Sequence, residues 1–352
     1  SNQLSCINNC NFYILFKSFI LACFDIYLLK MYKKQTSMLL KGTPSMLPNN
    51  MATNKAKNLS YAVVHKSVVC VNTMVSAGSS PVQKQIACKG EGAAGNSTVM
   101  QVKWCNVADR VVLAIASAKG VQMFEQDGSI MIFWYSISQP QENKSFSYFA
   151  RGICSTLNKF LCVGTCTGSI LVFEIPPEGT AVKLHETLDY HKSGITDLAS
   201  IMDKMVSADE DGNIIVWQCD ENTRQITEIR GSGTPCMSLA LWNGLITAAY
   251  SSGNIRIFDL ALGILKIEIC AHSRCINSLD IASEAGLLLS VSEDSFVRVW
   301  SLPKDSSNKV ELVFQSPVSD SQLCGGRFLD ETGQSFGVSG YDLAEIVVFG
   351  KK

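Results

Sequence analysis

Histidine is scarce in this chain: its 352 residues include four, His65, His185, His191 and His272. The usual metal constellations draw several histidines together, so this supply argues against a metal enzyme, and no metal or other cofactor is expected. Fourteen cysteines are present but form no Cys-x-x-Cys pair. Cys162-x-x-x-Cys166 lies along one apolar run, with no histidine pair after it at zinc-finger spacing. Cys70, Cys162, Cys236 and Cys270 sit inside strand-like runs, where free cysteine acts as a small hydrophobe. Scattered thiols of this kind fit a reduced, cytoplasmic protein.

Charge is also sparse. Charged residues make up 17% of the chain, and 30 Lys and Arg face 31 Asp and Glu for a formal net charge of −1. A basic footprint for nucleic acid is therefore absent. No long stretch carries the 3.6-residue period of an amphipathic helix. With 47% hydrophobic residues, these features imply a large all-β core and little disorder.

The apolar run Phe12–Leu29 is marginal in length for a membrane span. Lys17 and Asp25 within it would each cost about 2.5–3.5 kcal/mol near a bilayer centre. Lys30, Lys33 and Lys34 follow the run, whereas a secretory signal carries its basic residues in front. We read residues 1–30 as an extension outside the fold, and residues 31–352 as one domain with no stable membrane insertion.

What is present is a repeat. Lys204–Trp217 reads as two β-branched and aromatic strands around an Asp211-Gly212 turn. The pattern returns at Leu288–Trp300, and more weakly at Ile246–Phe258, Leu161–Phe173, Val112–Phe124 and Phe336–Phe349. A period of roughly 40–45 residues signals a propeller or an array. Four-stranded units fall at about residues 98–137, 148–190, 191–230, 234–271 and 272–315, with a weaker one at 45–90 and a three-stranded one at 321–349. A spare strand at 35–41 would complete the last unit. The expectation is a seven-bladed β-propeller closed by the N-terminal strand, which removes the frayed edge of an open array. Six blades is the alternative, because the 45–90 unit has the weakest pattern.

Two units carry the same four residues at nearly fixed spacing: His191, Ser207, Asp211, Trp217 and His272, Ser290, Asp294, Trp300. Here the sequence resembles the WD-repeat family, in which such a set forms a hydrogen-bonded tetrad. The resemblance implies that each histidine bonds the turn aspartate and passes the chain on through the serine to the indole N–H. The family's dipeptides are degenerate, reading Trp217-Gln218, Phe258-Asp259 and Trp300-Ser301. The segments Ser321–Asp330, Gly340–Ile346, Ala150–Ile153 and Asn58–His65 resemble one branch of the family more specifically.

A Ser/His/Asp set could suggest a hydrolase. The set occurs twice, each time with its tryptophan, and nothing like a nucleophile elbow is present. Gly90-Glu-Gly92-Ala-Ala-Gly95 matches a dinucleotide-binding string, but the next segment reads as a strand, so no helix N-terminus faces a phosphate.

The resemblance thus implies a non-enzymatic scaffold that binds other proteins or peptides on the rim where inner strands begin. By position the candidates are Arg151, Thr196, Glu210, Asn277 and Glu293, with Arg274 and Tyr341 weaker. Glu210 and Glu293 occupy equivalent positions before the turn aspartates, which suggests a basic or amide-rich partner. An RNA-associated propeller is the alternative, and a propeller enzyme ranks below it.

Overall fold

A computed structural model describes residues 31–55, 58–74, 81–90, 95–137, 148–304 and 309–352. The N-terminal run read above as an extension lies outside the described residues. Among those residues every regular element is a strand, and no helix is long and apolar enough to cross a membrane.

The chain opens with β1 (Tyr32–Lys34) and β2 (Met38–Leu39). Blade 1 follows as β3 (Ala52–Asn54), β4 (Ser60–His65), β5 (Val68–Thr73) and β6 (Val82–Ala87). Blade 2 is β7 (Val99–Val107), β8 (Arg110–Ser117), β9 (Gly120–Glu125) and β10 (Met131–Ser136). Blade 3 is β11 (Ala150–Thr156), β12 (Phe160–Thr165), β13 (Ser169–Glu174) and β14 (Lys183–Asp189). Blade 4 is β15 (Ile195–Ile201), β16 (Lys204–Asp209), β17 (Ile214–Gln218) and β18 (Arg224–Ile229). Blade 5 is β19 (Cys236–Trp242), β20 (Leu245–Tyr250), β21 (Asn254–Asp259) and β22 (Leu265–Cys270). Blade 6 is β23 (Ile276–Ala282), β24 (Leu287–Ser292), β25 (Phe296–Ser301) and β26 (Glu311–Pro317), and blade 7 ends the chain with β27 (Leu323–Phe328), β28 (Ser335–Gly340) and β29 (Glu345–Lys351).

The sheets make seven blades. Each is an antiparallel meander whose first strand faces the central channel and whose last faces solvent. Burial follows from this order. Middle strands such as Leu245–Tyr250 and Leu287–Ser292 are buried along their whole length, since neighbouring blades cover both faces. The outer strand Arg224–Ile229 alternates exposed and half-buried residues, as a strand with one wet face should.

Closure is more elaborate than a single strand over 35–41. Tyr32 pairs with Lys351 and Lys34 with Phe349, while Met38 pairs with Ile346. The N-terminal segment therefore spends one extra residue between its two pieces, a bulge, and the seventh sheet gains both β1 and β2. Tyr32 anchors the junction: it is 2% exposed, its hydroxyl donates to the Gly333 carbonyl at 2.6 Å, and its ring meets Phe314 and Phe336 edge-on.

Two local readings change. The repeat-defining turn spans four residues between Asp209 and Ile214 rather than two. Gly212 holds it with φ +79°, where a Cβ would lie 2.3 Å from the Thr234 carbonyl oxygen. Residues 45–50, at the start of the 45–90 unit, form no strand, and the inner strand of blade 1 is the short Ala52–Asn54.

Inner strands share a device. Register shifts fall between Val99 and Gln101, Ile195 and Asp197, Cys236 and Ser238, and Ile276 and Ser278. Each bulge aims a polar side chain at the next blade. The Gln101 amide oxygen accepts the Gly152 N–H at 2.7 Å, Asp197 Oδ2 accepts that of Leu239 at 2.9 Å, and Ser238 Oγ accepts that of Leu279 at 3.0 Å.

Candidate functional site

The two histidine clusters are structural networks. In blade 4 the Trp217 indole N–H donates to Ser207 Oγ at 2.8 Å, and Ser207 Oγ lies 2.7 Å from His191 Nε2. His191 Nδ1 then reaches a carboxylate at 2.8 Å, but the carboxylate belongs to Asp209, not to the expected Asp211. Asp209 also gathers the turn, its Oδ1 accepting the N–H groups of Asp211 and Asn213 at 3.0 and 2.8 Å. Asp211 is exposed and bonds Ser193. The sequence holds two aspartates in one turn, and serine-to-aspartate spacing copied from blade 6 picked the outer one.

Blade 6 solves the same turn differently. Ser292 occupies the place of Asp209, accepting the Asp294 N–H at 3.1 Å and donating to the Arg274 carbonyl at 3.2 Å. Asp294 therefore supplies the carboxylate, 3.0 Å from His272 Nδ1. His272 Nε2 lies 2.8 Å from Ser290 Oγ, which accepts the Trp300 indole N–H at 3.0 Å. Arg298 lies 2.6 Å from His272 Nδ1 and 3.2 Å from Asp294 Oδ2.

Burial pushes the His272 pKa down against the pull of Asp294, and the Arg298 guanidinium adds to the depression. Burial alone would raise Asp294, but hydrogen bonds from His272 and from backbone N–H groups outweigh it and hold the carboxyl well below its usual range. Ser207 and Ser290 are 0% exposed. Each hydroxyl is used between an indole and an imidazole, so neither can serve as a nucleophile for an incoming substrate.

The five rim candidates separate. Thr196 and Asn277 are buried inside the channel mouth. The Asn277 amide donates to the Leu323 carbonyl at 2.8 Å, and the Thr196 carbonyl accepts Arg151 Nε at 2.9 Å. These residues join neighbouring blades. Both lie inside the inner-strand bulge, which sequence position alone did not reveal. Arg151 is largely enclosed, and burial lowers its pKa against the opposing pull of Asp197 and Glu210. Glu210 is exposed on blade 4, and Glu293 is partly exposed on blade 6.

Glu293 does not stand alone. With Arg274, Asp320, Gln322, Tyr341 and Asp342 it lines a groove of about 490 Å³ between blades 6 and 7. Three carboxylates there face one guanidinium. Tyr341 is 52% exposed at its edge. The weaker candidates Arg274 and Tyr341 thus join Glu293, whereas Glu210 lies on another blade.

Missed altogether was Asn49. It is 3% exposed and sits at the channel mouth with φ +55°, a left-handed conformation asparagine tolerates. Its amide donates to Asp197 Oδ2 at 3.1 Å, and its amide oxygen accepts the hydroxyls of Ser238 and Ser278 at 2.9 and 3.0 Å. Its backbone N–H donates to the Asn277 carbonyl at 2.8 Å. One side chain thus ties blades 4, 5 and 6. The Pro48-Asn49-Asn50 run carries a turn signal that could have argued against a strand.

Among the described residues no cluster of three or more His, Cys, Asp and Glu stands where it could hold a metal, and the eleven described cysteines are free thiols. The glycine string that starts at Gly90 and ends at Gly95 is followed by a strand, Val99–Val107.

Seven antiparallel blades and two Trp–Ser–His–Asp networks define a WD-repeat β-propeller. Solved structures share this fold: a chain of the Mitotic Checkpoint Complex superposes with TM-score 0.69 at 16% identity, over 91% of this chain and 92% of that one. The RRP9 WD40 repeats superpose with TM-score 0.68 at 14% identity, over 91% and 100%. Within the class, the WDR54 family model matches residues 31–351, and the chain belongs to that family. It is 38% identical to WD repeat-containing protein 54 of Mus musculus over 334 residues, spanning 91% of this chain and 99% of the relative. It is also 38% identical to WD repeat-containing protein 54 of Homo sapiens, spanning 90% of this chain and 98% of the relative.

Proposed function

We propose that this propeller is a non-enzymatic, cytoplasmic scaffold that docks a basic protein segment in the groove between blades 6 and 7. The observation that carries the reading is the groove's charge: Glu293, Asp320 and Asp342 face only Arg274, beside the exposed ring of Tyr341. Opposite charge on a partner raises encounter rate and specificity, and a half-exposed tyrosine offers an amphipathic contact at low entropic cost. Membership of the WD-repeat class supports protein binding in general. The buried serines of both networks remove the strongest candidate nucleophiles.

The test is fluorescence anisotropy with a labelled Lys/Arg-rich peptide and an acidic control peptide, against wild type, Glu293→Lys/Asp342→Lys and Glu210→Lys. Saturable binding of the basic peptide, lost in the groove variant and kept in Glu210→Lys, supports the reading. Equal binding by all three proteins, or none by the wild type, sinks it.

A further inference from the structure

We propose that the lower half of the central channel binds a small anion carrying a phosphate or carboxylate group. Asn49 ties blades 4, 5 and 6 at the upper mouth and lines the first of two adjoining cavities of about 280 and 290 Å³. Lys103, Trp104, Asp280 and Arg327 line both, so they form one chamber. Lys55, Asn106 and Glu331 line its lower end. Lys55 and Asn106 are exposed, which marks that end as the entrance.

Blade 1 lines the lower cavity with Ala52, Thr53, Asn54 and Lys55. The inner strand of that blade has three residues, Ala52–Asn54, against nine in blade 2 and six in blade 7. Lys103 and Arg327 come from these two flanking inner strands and line the recess. Neither cation makes a salt bridge among the described residues. Lys103 Nζ has one acceptor, the Ile153 carbonyl at 2.8 Å, which leaves two of its three donors for a ligand. Arg327 directs one terminal nitrogen to Ser278 Oγ and the Leu279 and Gly326 carbonyls, and the other makes only a long 3.5 Å contact with Asn49.

The nearby carboxylates are already engaged. Asp197 accepts from Leu239 and Asn49, Asp280 from the Phe328 N–H, and Glu331 from Lys55 and Ser283. Burial raises the Asp280 pKa against the opposing pull of Arg327 and Lys55. Two cations with spare donors, aimed into a polar chamber enclosed by protein, are suited to a compact oxyanion. This site is separate from the protein-docking groove and does not depend on it.

The test is isothermal titration of the full chain with sodium pyrophosphate and with citrate at matched ionic strength. It is repeated on Lys103→Met and on Thr53→Glu, which sets a negative charge on the chamber wall, each first checked for an unchanged melting midpoint. Saturable binding of either anion, weakened about tenfold or more by every variant that folds, supports the proposal. The stronger of the two anions tells phosphate from carboxylate. The absence of saturable heat with both anions, or binding unaltered in a folded variant, overturns it.

Discussion

The Asn49 side-chain amide donates to Asp197 Oδ2 at 3.1 Å across 148 residues of sequence, at the mouth of the channel. That carboxylate oxygen also accepts the Leu239 N–H from the next blade. The bond therefore links the segment after the closing strands to the ring it closes. Replacing Asn49 by alanine leaves Ser238 and Ser278 short of an acceptor and keeps a positive φ without the residue that tolerates it. Asn49→Ala is expected to destabilise by roughly 2–4 kcal/mol. Urea unfolding checks this, and an unchanged midpoint would mean that the link contributes nothing.

The two aspartates of the blade 4 turn make a paired test. Asp209 accepts from His191, Asp211 and Asn213, whereas Asp211 is exposed. Asp209→Ala is expected to cost about 2–4 kcal/mol and Asp211→Ala about 0.5 kcal/mol or less. Thermal melts of the two variants side by side decide it; the reverse ranking would restore the spacing-based assignment.

Trp300 is 7% exposed and donates to Ser290. Trp300→Ala removes a large buried ring and one end of the network, with an expected loss of about 3–5 kcal/mol. A melting midpoint equal to wild type would remove the tetrad from the account of stability.

Tyr32 ties the closing strand to the last blade through its hydroxyl bond to Gly333 and its ring contacts with Phe314 and Phe336. Tyr32→Phe keeps the ring and should cost about 0.5–1.5 kcal/mol, while Tyr32→Ala should cost about 3–5 kcal/mol. Hydrogen exchange on β29 gives the local readout: faster exchange in Tyr32→Ala, with little change in Tyr32→Phe, is the expected pattern.

Acid sensitivity has a sign that can be worked out. The fold depresses the His272 pKa, so it favours the neutral ring. The contribution is fully present above the ordinary histidine pKa of about 6.5 and is lost as pH falls below it towards the depressed value. Asp209 and Asp294 are also depressed, and they add a further loss as pH drops below about 4. Unfolding free energy measured from pH 8 to pH 5 should fall on the acid side. A flat profile, or an NMR titration placing His272 at or above 6.5, would contradict this.

Much of the architecture was legible because its signals are local. Repeated hairpins with β-branched strands and Asp or Gly turns carried the blade count, and tryptophan spacing located both networks. The weakest blade read worst for a physical reason: its inner strand is three residues long, too short for an alternation to register. The choice between Asp209 and Asp211 was invisible for another reason. Both stand in one turn, and only the approach of His191 from the preceding blade distinguishes them.

Amino-acid order alone determined that this chain is a closed ring of four-stranded blades, since the strand period, the turn chemistry and the spare N-terminal strand are properties of neighbours in sequence. Tertiary structure decided what lies where blades meet. Thr196 and Asn277 fell inside the ring, Glu293 and Tyr341 came together across two blades, and Asn49 reached the channel mouth. Those outcomes depend on inner-strand bulges and on contacts between residues dozens to hundreds of positions apart, which no local pattern encodes.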